Sequence, residues 1–182
     1  MTSTVYKIID KHLKAILDSG INKTPQKIQT EMSDPNQEPE EEWRIWFPID
    51  SKVTEEEIFD FEKTLGHKLP TDYKLFLKYK HFYELYIDQA SFGEHPINSW
   101  RYSLNTMIFD GYPREFLIDK GYIPFANWSD WGLLCFDTTK NNTDNYPIVL
   151  WDHEVFDGFQ LIANDFESLI IYLDNEATKN SN

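Results

Sequence analysis

Of the five histidines in this 182-residue chain, His153 alone stands between two acids, in Trp151-Asp152-His153-Glu154. An imidazole flanked by carboxylates could ligate a metal or divide acid and base duties in a small hydrolase. The spacing argues against it. Successive side chains of a strand point to opposite faces, so three consecutive groups converge only where the chain turns. Asp152, His153 and Glu154 therefore read as a turn at the rim of a strand, with the hydrolase as the lesser alternative. His12, His67, His81 and His95 have no acid or cysteine at ligand spacing, and His12 falls on an apolar stripe, where a packing role is simpler. No G-x-S-x-G, phosphate loop, dinucleotide fingerprint or H-E-x-x-H occurs. Cys135 is the only cysteine, which excludes an intramolecular disulfide, and its apolar setting at 133–136 suits a buried, inert thiol. These residues assign no catalytic group, no metal site and no cofactor.

The alternative to chemistry is recognition. Trp128, Asp130 and Trp131 fall on an expected hairpin turn, and Asp137, Asp144, Asp152, Glu154 and Asp157 fall on neighbouring strand ends and loops. Aromatic anchors ringed by carboxylates suit the basic cleft of a partner protein. The competing reading makes the tryptophans core and the acids a solvated rim. The net charge of -14 is uneven, because residues 1–30 hold five Lys against two Asp and everything beyond them is strongly acidic. Such a surface repels nucleic acid and anionic membranes and fits either a basic protein partner or plain solubility. No run of 18 apolar residues and no signal-peptide pattern occurs, so the expectation is a cytoplasmic protein. The glycosylation sequons at Asn22, Asn127 and Asn141 then read as chance.

Those positions need a scaffold, and its strongest signals lie upstream. Thr54 with Glu57 makes a capping box, and Glu55, Glu56 and Glu57 favour the positive end of a helix. Ile58, Phe61 and Leu65 form its apolar stripe and Gly66 its left-handed stop. Leu69-Pro70 opens a second helix with Tyr73, Phe76 and Leu77 inward. Val5, Ile8, Ile9, His12, Leu13, Ile16 and Leu17 predict an amphipathic helix within residues 1–30, which packs on the domain or, as the lesser alternative, serves as a partner helix. Residues 31–42 hold six acids and no base, and read as an acidic linker that buries no apolar area. The main domain spans 43–176, opening on an aromatic cluster that reads as a lid over the core or, alternatively, an exposed anchor. Region 82–118 has no clean period, and a helix over 98–109 fits it best. From residue 121 the period shifts towards two, predicting strands at 121–125, 131–137, 148–152 and 158–162 with a turn at 127–130. Asn164 or Asp165 caps a final helix, and 177–182 is a disordered tail. The sum is an acidic, aromatic-rich α+β domain.

The order of these signals resembles the SMI1/KNR4 family, also called the SUKH superfamily, over roughly residues 50–175. Leu69, Pro70, Asp72, Tyr73, Phe76 and Leu77 match its most recognisable motif. Gly121, Ile123, Pro124, Phe125 and Ala126 match the strand that opens the sheet, and Pro147, Val149, Trp151 and Asp152 match the next one. Two places depart from the family pattern. Lys80-His81-Phe82-Tyr83 replaces an Asn-Gly-Gly, and Trp131-Gly132-Leu133 stands where many members have Gly-Asp. The resemblance implies an α+β fold with a mixed or antiparallel sheet flanked by an N-terminal helix pair and a C-terminal helix. It also implies a binding module with no reaction. Bacterial members resemble immunity proteins that neutralise toxins of neighbouring cells, whereas fungal members regulate cell-wall synthesis through protein contacts. The leading expectation is an immunity-type protein that occludes a basic toxin domain, and the alternative is a regulatory scaffold with host partners.

Overall fold

A computed structural model describes residues 1–38, 40–111, 114–140, 144–155 and 158–180. Helix α1 (Ser3–Asp18) buries Val5, Ile8, Ile9, Leu13 and Ile16, the stripe its spacing predicts. Strand β1 (Lys23–Thr24) pairs with β2 (Arg44–Ile45), and β3 (Ile49–Asp50) pairs with β4 (Lys80–His81), both antiparallel. Between the last two run α2 (Glu55–Leu65) and α3 (Thr71–Leu77). The main sheet has six strands: β5 (Leu85–Ile87), β6 (Ala90–Phe92), β7 (Tyr122–Trp128), β8 (Gly132–Asp137), β9 (Ile148–Asp152) and β10 (Phe159–Ala163). They lie in sequence order and every neighbouring pair is antiparallel, so the sheet is a meander. Helix α5 (Phe166–Asn180) closes the fold.

The α2–α3 pair forms for the reasons its residues give. Glu57 N–H donates to Thr54 Oγ1 at 3.2 Å and Thr54 N–H donates to Glu57 Oε2 at 2.9 Å, which closes the capping box. Gly66 stops α2 at φ 79°, the left-handed region that favours glycine. Glu62 is buried; its Oε1 accepts from Leu69 N–H at 2.8 Å and also meets Lys74, while its Oε2 accepts from Lys68 Nζ at 2.9 Å. Burial pushes this carboxyl up, but the two lysines and the amide more than offset that and hold it below the usual range. Asp72 reaches across to the last helix. Its Oδ2 accepts from Glu167 N–H at 3.1 Å and its Oδ1 from Tyr73 N–H at 2.9 Å, so one side chain caps α5 from 95 positions away.

One sheet face carries the main core. Tyr73 and Phe76 of α3 and Phe166 of α5 meet Phe125 of β7 and Phe136 of β8, with ring centroids 4.1 to 6.4 Å apart. The segment between β6 and β7 folds over the opposite face. There Leu117 packs with Leu133, Cys135, Val149 and Trp151 in a second cluster. All six residues of β8 are buried, which explains its unbroken apolar run. A register shift between Pro124 and Ala126 marks a bulge that accommodates proline in an interior strand.

Helix α1 packs on the domain rather than standing free for a partner: it docks on α5 and β5 as part of the main core, and Asp174 of α5 holds Lys11 at 2.7 Å and His12 at 2.8 Å. Other expectations need correction. Residues 31–42 do bury apolar area. Met32 is fully buried, and its carbonyl accepts from Phe47 N–H at 2.7 Å, because one long apolar side chain reaches the core while the flanking acids stay wet. Trp46 is buried but Trp43 is exposed, so only part of the aromatic cluster is a lid. The helix expected over 98–109 is a short α4 (Trp100–Asn105) that widens into a π-helical turn at Thr106–Asp110. Helix α5 continues to Asn180, with Thr178 Oγ1 donating to the Asp174 carbonyl at 2.8 Å, so 177–180 is not a disordered tail.

Candidate protein-binding surface

The residues singled out for recognition separate to two ends of the sheet. At one end, β7 runs further than expected. Trp128 pairs with both Ala90 and Gly132, which draws its ring into the core and leaves it 6 % exposed. The turn therefore comprises 129–131, with Ser129 at φ 50° and its N–H donating to the Gln89 carbonyl at 2.8 Å. Asp130 is exposed and Trp131 half-buried. The β9–β10 turn lies beside it: Gly132 pairs with Asp152, and His153 N–H donates to the Trp131 carbonyl at 3.3 Å. Asp152 Oδ1 accepts from Glu154 N–H at 2.8 Å, so this carboxylate holds the turn. Trp131, Asp152, Val155 and Phe159 line a shallow cleft of about 280 Å³.

Asp137 and Asp144 belong to the other end. Asp137 is 1 % exposed, accepts from Thr139 N–H at 3.0 Å and caps the turn after β8, so it offers nothing to a partner. Asp144 is exposed, and its carbonyl accepts from Thr71 N–H at 3.0 Å. Asp157 lies outside the described residues. Of the recognition set, Asp130, Trp131, Asp152 and Glu154 share one rim. Trp128 and Asp137 are corrected to structural roles, because strand pairing and turn capping enclose them.

Sequence reasoning missed the larger feature. A groove of about 490 Å³ lies between the outer face of β5–β7 and the α4 segment. Its rim carries Tyr86 at 47 % and Tyr102 at 72 % exposure, and Glu84, Glu94, Gln26 and Asn127 also line it. Gly93 lets α4 approach this closely, since a Cβ there would stand 2.6 Å from Ser103 Oγ. Burial raises the Glu84 carboxyl and the nearby Glu94 charge raises it further. Burial also raises Glu94, although Gln26 Nε2 donates to its Oε1 at 2.7 Å. The only sequence signal was the density of aromatics in a stretch without period.

The reactive side chains elsewhere are structural. Lys52 N–H donates to His81 Nε2 at 2.8 Å, which leaves Nδ1–H to donate to the His95 carbonyl at 2.9 Å. His95 Nε2–H donates to the Leu77 carbonyl at 2.7 Å, and the two rings stack with centroids 5.0 Å apart. Both imidazoles are thus neutral and committed. Burial pushes His95 down to about 3, helped by His81, and lowers His81 as well. Cys135 is buried and its thiol pushed well above the usual range, which makes it unreactive. Among the described residues no three His, Cys, Asp or Glu side chains gather as a metal set, and no helix is long and apolar enough to cross a membrane.

An antiparallel meander with α3 and α5 on one face and the α4 segment over the other defines an α+β domain. The sequence profile of the SMI1/KNR4 family (SUKH-1) matches residues 52–171, well over half of the chain, and the chain belongs to that family. No curated protein sequence matches the chain.

Proposed function

We propose that this chain is a non-catalytic protein-binding domain of immunity type, which neutralises a cognate toxin by covering the toxin's active cleft. Membership of the SMI1/KNR4 family carries this reading. The acidic surface supports it, since opposite charge speeds encounter with a basic enzyme cleft. The rim of Asp130, Trp131, Asp152 and Glu154 is the proposed contact: one large ring beside three carboxylates at the tips of two adjoining turns. Burial of such a ring at an interface centre is a common source of affinity. In this rim the Glu154 amide donates to Asp152 Oδ1, which supports a turn-holding part for that carboxylate over a hydrolytic one.

The test is calorimetry of the full chain against purified toxin domains encoded beside its gene. The reading expects sub-micromolar binding of one of them. If none binds, the immunity role is wrong for this chain.

A further inference from the structure

We infer that the groove between β5–β7 and α4 receives an arginine side chain from a partner polypeptide. This names one contact within the protein-binding reading, but it rests on chemistry separate from the acidic rim.

The groove's volume of about 490 Å³ has room for a whole long side chain and the backbone that presents it. Its charge is of one sign. Glu84 and Glu94 line it, and no Lys, Arg or His does so among the described residues. Gln26 satisfies one oxygen of Glu94 from the side, while Glu84 is raised by burial and by its acidic neighbour without a cation to relieve it. A fixed pair of half-buried carboxylates that repel each other gains most from one shared cation.

The aromatic walls choose between the two candidate cations. Tyr86 and Tyr102 are both exposed on the rim, where a flat guanidinium can lie against a ring while its fork of donors faces a carboxylate. A lysine ammonium is a point charge that is more strongly hydrated and gains less from such a wall. Ser91 and Asn127 add neutral polar atoms along the floor. The site is held by cross-strand geometry rather than by a loose loop. The Leu85–Phe92 pair and the Phe82–His95 bridge fix the hairpin that carries Glu84 and Glu94.

The experiment needs no toxin. The full chain, labelled with ¹⁵N, is titrated at low salt with acetyl-Gly-Arg-Gly-amide, and in parallel with its lysine and citrulline counterparts. The expected result is saturable shifts confined to 84–94, 102–107 and 127. Lysine should bind more weakly, and citrulline, which keeps the shape but loses the charge, should bind about tenfold more weakly or not at all. Glu84→Gln/Glu94→Gln should abolish saturation while leaving the amide spectrum folded, and the exposed Tyr102→Ala should weaken binding several-fold. The inference is overturned if the arginine and citrulline peptides behave alike. It is also overturned if the shifts fall on 130–131 and 152–154 instead, or if both variants bind as the parent does. Failure here would leave the immunity reading standing, and success would not establish it.

Discussion

The stacked histidines allow a stability prediction with a worked magnitude. A free histidine takes up its proton near pH 6.5, whereas His95 does so only near 3 in the fold. Between those values the unfolded chain binds the extra proton, so stability is complete above pH 6.5 and falls as the pH is lowered towards 3. Going from pH 7.5 to pH 5 spans about 1.5 units of that window, which removes about 2 kcal/mol through His95 alone. At this chain length that corresponds to a Tm decrease of about 4 to 8 °C. The groups that act on the pair are His81 itself, then Lys52 and Glu57 through His81, so the control must keep them. His95→Gln does so, because its amide can still donate to the Leu77 carbonyl but does not titrate. Urea unfolding of both proteins at the two pH values reads out the difference. The parent should lose about 2 kcal/mol more than the variant on acidification. Parallel losses would refute the assignment of a neutral, desolvated His95.

Substitutions at three further positions probe the scaffold and the rim. Asp72→Ala should cost about 1 to 2 kcal/mol in urea unfolding, because the Glu167 amide in the first turn of α5 loses its acceptor while Asp165 still caps Ser168 N–H, whereas Asp72→Asn should cost less, since it retains an acceptor and removes a carboxylate whose pKa burial has raised. Thr54→Ala should cost about 1 kcal/mol by opening the capping box, with no effect on partner affinity. Trp131→Ala should cost about 1 kcal/mol in urea unfolding, because the ring packs partly on the core, and should weaken partner binding by about 2 kcal/mol, roughly 30-fold by calorimetry.

What could be read from the sequence was local. Capping residues, the glycine stop and the 3.6-residue stripes of α1, α2 and α5 are short-range signals, and the structure has those elements. The run at 133–136 was also legible as a strand, because burial on both faces leaves an unbroken apolar segment. Long-range pairing was not. Nothing local shows that Trp128 bridges two neighbouring strands and turns inward, or that Asp137 caps a turn. Asp72 lies in the first turn of α3, and only the fold reveals that it caps a helix in a distant part of the chain. The β5–β6 hairpin has three-residue strands, too short for a period of two to stand out, so the groove it builds stayed hidden. The departure from the family pattern at 80–83 also gains a cause: His81 there is buried and stacked on His95, a long-range partner the motif comparison could not supply.

An immunity protein of this kind binds its toxin without turnover. The direct measurement is titration of the cognate toxin domain's activity with this chain, alone and as His153→Ala. Inhibition should rise linearly and be complete at equimolar chain, unchanged by His153→Ala. Protection by a small fraction of an equivalent, or its loss in His153→Ala, would contradict binding without turnover and return the Asp152-His153-Glu154 turn to catalysis.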